Sequence, residues 1–204
     1  MENSTNSTIE PFPGSPAARI YHTAGHYGLQ ADTTALFAEC VDNLGYILAA
    51  CPAHAAPAAA KSALRGYLCD PELLHPTHLQ GASDNYTRHL LYAHPEGAFS
   101  IMAIVWMPGN ATPIHGHTAW GTVGVYAGNP SVDLFETAHA SSGAMHLQKK
   151  MTLKLKQNDL STVQPGIDDL HRIYNTTTQR AVTIHIYGRD LLHNPAALNI
   201  SFPH

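Results

Sequence analysis

The chain has 204 residues, and its hydrophobic share of 44% is enough for a packed core, which excludes a wholly disordered protein. Charged residues make up 13% and the formal net charge is -4, so the basic surface typical of nucleic-acid binding is missing. No apolar run reaches the roughly 20 residues that cross a bilayer, and the N-terminus lacks the basic and apolar regions of a secretory signal. We therefore expect a cytoplasmic protein that binds neither nucleic acid nor membrane.

The composition divides the chain into a tail and one domain. Residues 1–18 are rich in Ser, Thr, Asn and Pro, which predicts a flexible tail. Residues 19–204 are predicted to form a single domain, with a helical part at about 30–80 and a barrel at about 85–190.

The helical part contains two amphipathic patterns. Apolar residues recur every three or four positions over about 33–50, which predicts a helix that Asp32 could cap. An Ala-rich stretch over about 56–69 predicts a second helix, and a short third piece is expected within 71–79.

After residue 81 the hydrophobic period changes to two, which is typical of half-buried strands. Turns rich in Gly, Pro and Asn separate these segments. Many short strands after a helical start predict a mainly β fold, an antiparallel barrel or jelly roll with helices packed outside it. The candidate strands cover residues 85–92, 98–106, 113–127, 131–137, 145–156, 160–164, 170–174 and 181–187.

The three cysteines predict no disulfide framework and no zinc site. Cys40, Cys51 and Cys69 are an odd number without a C-x-x-C pair, so we expect reduced and buried thiols.

Histidine is the unusual residue, with 15 copies against 11 Lys and Arg together. His115 and His117 lie two positions apart in a predicted strand. Their side chains therefore point to the same face and can bind one metal ion. A bare H-x-H pair is weak evidence, since such a pair is expected by chance in a chain so rich in His.

The surroundings of this pair are more specific. Gly109 lies six residues before His115, and Gly128 lies eleven residues after His117. This spacing resembles the first motif of the cupin family. Gly121 fills the slot of the usual glutamate ligand, so the carboxylate of that motif is missing.

A second segment resembles the other cupin motif. Pro165 and Gly166 precede His171, and Asn175 follows it at the fourth position, although Asp159 replaces the opening glycine. The two motifs together predict a cupin barrel with a third strand-borne histidine.

Two alternating patterns narrow the resemblance. Tyr86 and Arg88 share one strand face, and Thr183, His185 and Tyr187 share another. Together with both cupin motifs, these patterns resemble the cysteine dioxygenase family of thiol dioxygenases over most of the chain.

This resemblance implies a mononuclear iron(II) site with dioxygen as co-substrate. The implied iron ligands are His115, His117 and His171, three neutral imidazoles without a carboxylate.

The resemblance also implies roles for the two alternating patterns. Arg88 would bind the substrate carboxylate, aided by Tyr86. His185 would orient Tyr187, whose hydroxyl would face the iron, and Thr183 stands where the family usually has serine.

Two positions indicate the branch of the family. The animal enzymes crosslink the active-site tyrosine to a cysteine in the slot filled here by Gly121, so we expect Tyr187 to be unmodified, as in bacterial members. In the mercaptopropionate branch the position of Arg88 is typically Gln, and an arginine after the last motif binds the carboxylate. Here that candidate is Arg189, expected on the face opposite to Tyr187.

The implied reaction is the oxidation of L-cysteine to cysteine sulfinic acid, a step of cysteine catabolism. A dioxygenase for another small thiol acid, 3-mercaptopropionate or mercaptosuccinate, is one alternative. A non-catalytic cupin that binds a metal or a small ligand is another. The expected partner is a small thiol, and the expected assembly is a monomer or small homo-oligomer.

Overall fold

The computed structural model describes residues 19–21, 26–139, 145–192 and 199–201. The predicted tail over 1–18 lies outside the described residues. Within the described part, no helix has the length and apolar character needed to cross a membrane.

The helices precede most of the strands, as predicted. The Thr34 side chain caps the first helix, because its Oγ1 accepts a hydrogen bond of 3.0 Å from the backbone N–H of Phe37. The predicted cap Asp32 instead lies in the preceding turn with a φ of 58°. The helical elements are α1 (Ala35–Ala50), α2 (Ala56–Arg65) and two 3₁₀ segments, Ala53–Ala55 and Pro76–Leu79.

The strands form two sheets. In the seven-stranded sheet the order is β1-β3-β4-β11-β6-β9, with β2 paired to β3; in the five-stranded sheet it is β12-β5-β10-β7-β8. Nearly all pairs are antiparallel, and β1 with β3 is a parallel exception. The strands are β1 (Arg19–Tyr21), β2 (Gly28–Leu29), β3 (Thr87–Ala93), β4 (Ser100–Trp106), β5 (His115–His117), β6 (Gly121–Ala127), β7 (Ser131–His139), β8 (Met145–Lys154), β9 (Leu160–Val163), β10 (Gly166–Tyr174), β11 (Ala181–Tyr187) and β12 (Asn199–Ser201).

This architecture confirms the predicted mainly β fold with helices packed outside. Phe37 and Leu44 of α1 and Leu64 of α2 are buried in one apolar cluster with Ile101 and Ile184 of the seven-stranded sheet. Each such side chain contributes about 1.5–3 kcal/mol when fully buried. The cluster therefore fixes the helices against the outer face of that sheet.

One predicted strand is wrong in a way that matters for the site. The segment 113–127 is two strands, β5 in the five-stranded sheet and β6 in the seven-stranded sheet. The alternating pattern continues through the bend between them, so the sequence does not reveal that the chain changes sheets there. The bend brings the two sheets together beside the H-x-H pair.

Strands also lie outside the predicted barrel limits of about 85–190. Both β1 and β2 precede the helices in the chain. β12 follows residue 190 and pairs with β5. These strands are too short for a period of two to be recognised. The single domain over 19–204 remains a prediction.

The cysteines lie in and after the helices as free thiols. Cys40 is buried, and burial raises the pKa of its thiol to about 12. Cys51 is half-buried and Cys69 is exposed, so the expectation of buried thiols is wrong for Cys69.

Candidate metal centre and active site

Three histidines meet on the inner face of the five-stranded sheet. His115 and His117 belong to β5, and His171 of β10 is the antiparallel partner of His115. All three are buried, and their ring centroids lie 4.5 to 5.1 Å apart. Their candidate ligand nitrogens all lie within 4.8 Å of one another. We call these three residues the three-histidine cluster; one ion could contact all of them.

Backbone carbonyls orient two of these imidazoles. The Nδ1 of His115 donates to the carbonyl oxygen of Pro113 at 3.0 Å, and that of His171 donates to the carbonyl of Asp169 at 2.8 Å. Because Nδ1 carries the hydrogen in each ring, the lone pair is on Nε2. Metal-binding histidines are commonly held in this way.

The environment keeps the cluster uncharged. Burial, followed by the neighbouring imidazoles, lowers the pKa of His115 well below its usual range. Burial also lowers the pKa of His171, and it lowers that of His117 to about 3. The rings are therefore neutral near pH 7, which is the form that binds metal.

His117 carries a buried polar atom that fits a metal site. Its Nδ1 has no hydrogen-bond partner among the described residues. Its Nε2 lies 3.5 Å from the Tyr187 hydroxyl. A buried polar nitrogen without a partner is destabilising unless a ligand or ion satisfies the ring. Three neutral nitrogen donors suit a divalent transition metal.

A row of hydrogen-bonded side chains on β11 faces this cluster. The hydroxyl of Thr183 lies 2.8 Å from Nε2 of His185, and Nδ1 of His185 lies 2.8 Å from the hydroxyl of Tyr187. All three side chains are buried. Burial raises the pKa of Tyr187, so its hydroxyl stays protonated, although the positive charge of Arg88 opposes the shift.

Gly121 lies directly against Tyr187. A Cβ at this position would come within 2.7 Å of Cδ1 of the tyrosine ring and within 2.8 Å of Val163. The tyrosine ring therefore occupies space that a larger residue in this slot would need.

Arg88 and Tyr86 form the third part of the site. The Arg88 Nη2 donates to the Tyr86 hydroxyl at 3.1 Å, and the guanidinium lies 5.1 Å from the centre of the Tyr86 ring. Within the described residues, Arg88 has no carboxylate partner. Arg88 pairs with Ile104 and Ile104 with Thr183, so Arg88 lies on the same face of the seven-stranded sheet as Thr183. Its positive charge also contributes to the lowered pKa of His115, His117 and His185.

Arg189 is engaged elsewhere. Its Nη1 donates to the hydroxyl of Thr118 at 3.0 Å. Arg88 is thus the arginine whose charge acts on the buried imidazoles. The structure brings together all eight residues predicted for the site, and their chemical roles remain predictions.

The sequence analysis missed Trp106, the last residue of β4. Its indole is fully buried, stacks on Tyr86 with centroids 5.1 Å apart, and donates from Nε1 to the Thr183 hydroxyl at 2.8 Å. A tryptophan in an otherwise aliphatic strand was the available signal, because a buried indole N–H needs an acceptor.

The motif residue Asn175 is structural. Its buried Nδ2 donates to the carbonyl oxygens of Trp106 and Gln179, and its Oδ1 accepts from Thr177. These bonds hold the turn after β10 against the end of β4.

Known proteins resemble this chain in sequence and in fold. The chain is 32% identical over 105 residues to Cysteine dioxygenase type 1 of Rattus norvegicus and of Homo sapiens, which covers 50% of this chain and 50% of each relative. It thus matches about half the length of these curated relatives.

Two solved structures also match. One is a cupin 2 conserved barrel domain protein from Rhodopseudomonas palustris, with a TM-score of 0.40, 17% identity, and coverage of 52% of this chain and 63% of that chain. The other is a conserved protein with a double-stranded beta-helix domain from Klebsiella pneumoniae, with a TM-score of 0.44, 12% identity, and coverage of 63% and 93%.

The family model described as Cysteine dioxygenase type I matches residues 77–192, more than half of the chain. The matched region contains β3 to β11 and all the side chains of the site. The resemblance drawn from the sequence motifs is therefore confirmed, and this chain belongs to the cysteine dioxygenase type I family.

Proposed function

We propose that this protein is an iron(II)-dependent thiol dioxygenase that adds both atoms of dioxygen to the sulfur of L-cysteine and yields cysteine sulfinic acid. The observation that carries the proposal is Arg88, which has no carboxylate partner within the described part of the chain, beside three buried neutral imidazoles. This arrangement suits a small molecule with a metal-binding thiol at one end and an anionic group at the other. Membership of the family supports the same reaction.

The three-histidine cluster would hold the metal. His115, His117 and His171 supply three neutral donors and no carboxylate, so a divalent ion would keep its full charge. Iron(II) bound there supplies the redox chemistry by which dioxygen oxidises a thiolate, and its charge favours the thiolate form.

Arg88 would bind the substrate carboxylate. A guanidinium offers two parallel N–H groups to a carboxylate, which gives a strong and directional pair. Tyr86 already accepts a hydrogen bond from Arg88 and limits its movement. With one end of the substrate anchored, its sulfur would be directed towards the three-histidine cluster.

Tyr187 would donate a hydrogen bond to the reacting groups. Its hydroxyl is held by His185 at 2.8 Å and lies beside His117. Because burial raises the pKa of Tyr187, the hydroxyl keeps its hydrogen across the physiological pH range. His185 and Thr183 would act by positioning Tyr187.

Metal analysis and oxygen uptake test the proposal together. The protein would be loaded separately with iron(II), zinc(II) and manganese(II). It would then be assayed with L-cysteine, cysteamine, 3-mercaptopropionate and mercaptosuccinate. We expect uptake with iron(II) and L-cysteine, and a sulfinate that carries both atoms of isotopically labelled dioxygen.

Other outcomes identify the alternatives. A preference for 3-mercaptopropionate or mercaptosuccinate would keep the chemistry and change the substrate. Metal binding without turnover of any thiol would indicate a non-catalytic cupin. The proposal includes a cytoplasmic location and a monomer or small homo-oligomer, which cell fractionation and sedimentation would test.

A further inference from the structure

A continuous chain of hydrogen bonds runs from β4 across β11 to the site. Trp106 donates from its indole Nε1 to Thr183, Thr183 contacts His185, and His185 contacts Tyr187, each at 2.8 Å. All four side chains are buried. We call these four residues the relay.

The first hydrogen bond of the relay can run in only one direction. An indole N–H is a donor only, so the oxygen of Thr183 must accept from Trp106. The Thr183 hydroxyl has a single hydrogen, and its described side-chain contacts are with Trp106 and His185. His185 is therefore the acceptor available to that hydrogen.

The opposite arrangement is unfavourable. If Nε2 of His185 carried a hydrogen and donated to Thr183, the Thr183 hydroxyl would receive two donors. Its own hydrogen would then be buried without an acceptor in the described surroundings. An unsatisfied buried donor is strongly disfavoured, so we expect the arrangement in which Thr183 donates to His185 to prevail by about tenfold or more.

We propose that Trp106 is a positioning residue: its indole N–H holds the Thr183 oxygen in place, which leaves the Thr183 hydrogen directed to His185. Thr183 donates to Nε2 of His185, so the ring hydrogen of His185 is on Nδ1 and is donated to the oxygen of Tyr187. The Tyr187 hydrogen is then free to be donated towards the three-histidine cluster. The consequence for catalysis rests on the proposed function, whereas the polarity of the relay does not.

The same indole also supports the substrate side of the site. It stacks on Tyr86, which accepts from Arg88. Substituting Trp106 with Phe keeps an aromatic ring against Tyr86 and removes only the N–H. Trp106→Phe therefore separates the polarity of the relay from the stacking.

The test is the tautomer of His185 in the full-length chain without added metal. Nitrogen NMR of ¹⁵N-histidine-labelled protein distinguishes Nδ1–H from Nε2–H rings, and loss of a signal in His185→Gln assigns it. We expect Nδ1–H in the parent and in Thr183→Ser, which keeps the hydroxyl. In Trp106→Phe, where the Thr183 hydroxyl is no longer held and can turn to accept from His185, we expect the fraction of Nε2–H to rise about tenfold or more.

The chain supplies a matched control in its other tryptophan, Trp120, whose indole packs against Gly188. Trp120→Phe should leave the His185 tautomer unchanged. An Nε2–H ring in the parent would overturn the inference, and so would an unchanged tautomer in a folded Trp106→Phe variant. Trp106→Met, which also lacks the indole N–H, keeps the test decisive if Trp106→Phe fails to fold.

Kinetics provides an independent readout. With iron(II) and L-cysteine, Trp106→Phe should lower kcat about tenfold and leave KM within about twofold, since Arg88 and Tyr86 remain in position. A parent with the Nδ1–H ring but no thiol turnover would refute the proposed function and keep the relay. A rise in KM with unchanged kcat would indicate that Trp106 acts through Tyr86, contrary to the inference.

Discussion

The three-histidine cluster of the five-stranded sheet and the relay of the seven-stranded sheet face one another across the site, but different parts of the chain orient them. His115 and His171 each donate to a backbone carbonyl two residues earlier in the chain. The relay depends on side chains from two strands, because Trp106 of β4 begins it and β11 carries the rest.

This difference shows where the site tolerates change. A carbonyl acceptor is present whichever side chain precedes the histidine, so the orientation of the cluster follows from the backbone. Each bond of the relay requires a particular side chain with a particular hydrogen. Loss of one cluster member should therefore remove the metal, whereas loss of one relay member should weaken the reaction and leave the metal bound.

Removing a histidine of the cluster should have the largest effect. His171→Ala should abolish bound iron and oxygen uptake, since two imidazoles alone bind the ion weakly. Elemental analysis, oxygen uptake and circular dichroism would measure metal, activity and fold. His146→Ala on the exposed strand β8 is the control and should behave like the parent. Full iron retention in folded His171→Ala would show that His171 is not a ligand.

Arg88→Gln should have the next largest effect. Removing one partner of a buried charged pair typically costs about 3–5 kcal/mol, so kcat/KM for L-cysteine should fall roughly 100-fold or more. Cysteamine, which lacks the carboxylate, should respond little to the substitution. Arg65→Gln, at an exposed position of α2, is the matched control. Unchanged cysteine turnover in Arg88→Gln would exclude Arg88 as the anchor.

The contrast between the two sheets also explains what could be predicted from the sequence. The faces of β5, β10 and β11 follow from a period of two, so His115, His171 and Tyr187 could be chosen by their spacing and family motifs. Trp106 could not, because its bond to Thr183 joins two strands 77 positions apart in the chain. Sequence spacing carries no information on that register.

The same reasoning accounts for the errors in the fold. The segment 113–127 continues its alternation while it passes from one sheet to the other, and only the strand partners reveal the division. His89 follows Arg88 on β3, so the two side chains point to opposite faces of the sheet, and the 3₁₀ segment Pro76–Leu79 carries His78 against His89. Strand alternation predicts the side of a sheet, and the element that covers that side depends on tertiary structure.

Tyr187→Phe tests the relay at the residue that lies beside the three-histidine cluster. Loss of a hydrogen bond to a charged group costs about 1.5–3 kcal/mol, so kcat should fall about 10–100-fold while iron content and KM for L-cysteine stay close to the parent values. Steady-state oxygen uptake and elemental analysis measure these quantities. Tyr46→Phe, at a tyrosine that is 79% exposed, is the control. Loss of iron in Tyr187→Phe would contradict the separation of cluster and relay.

The smallest effect concerns stability, at the glycine on which the relay packs. In Gly121→Ala the new Cβ would lie 2.7 Å from Cδ1 of Tyr187 and 2.8 Å from Val163, so both neighbours must shift. Such overpacking typically costs about 1–3 kcal/mol, and the displaced ring should lower kcat as well. Gly45→Ala in α1 is the matched control: its Cβ meets nothing within 4 Å, and Ala in a helix interior is favoured over Gly by about 0.5–1 kcal/mol. Urea unfolding should therefore give changes of opposite sign. If Gly121→Ala were as stable as the parent and as active, the Tyr187 ring would not depend on this contact.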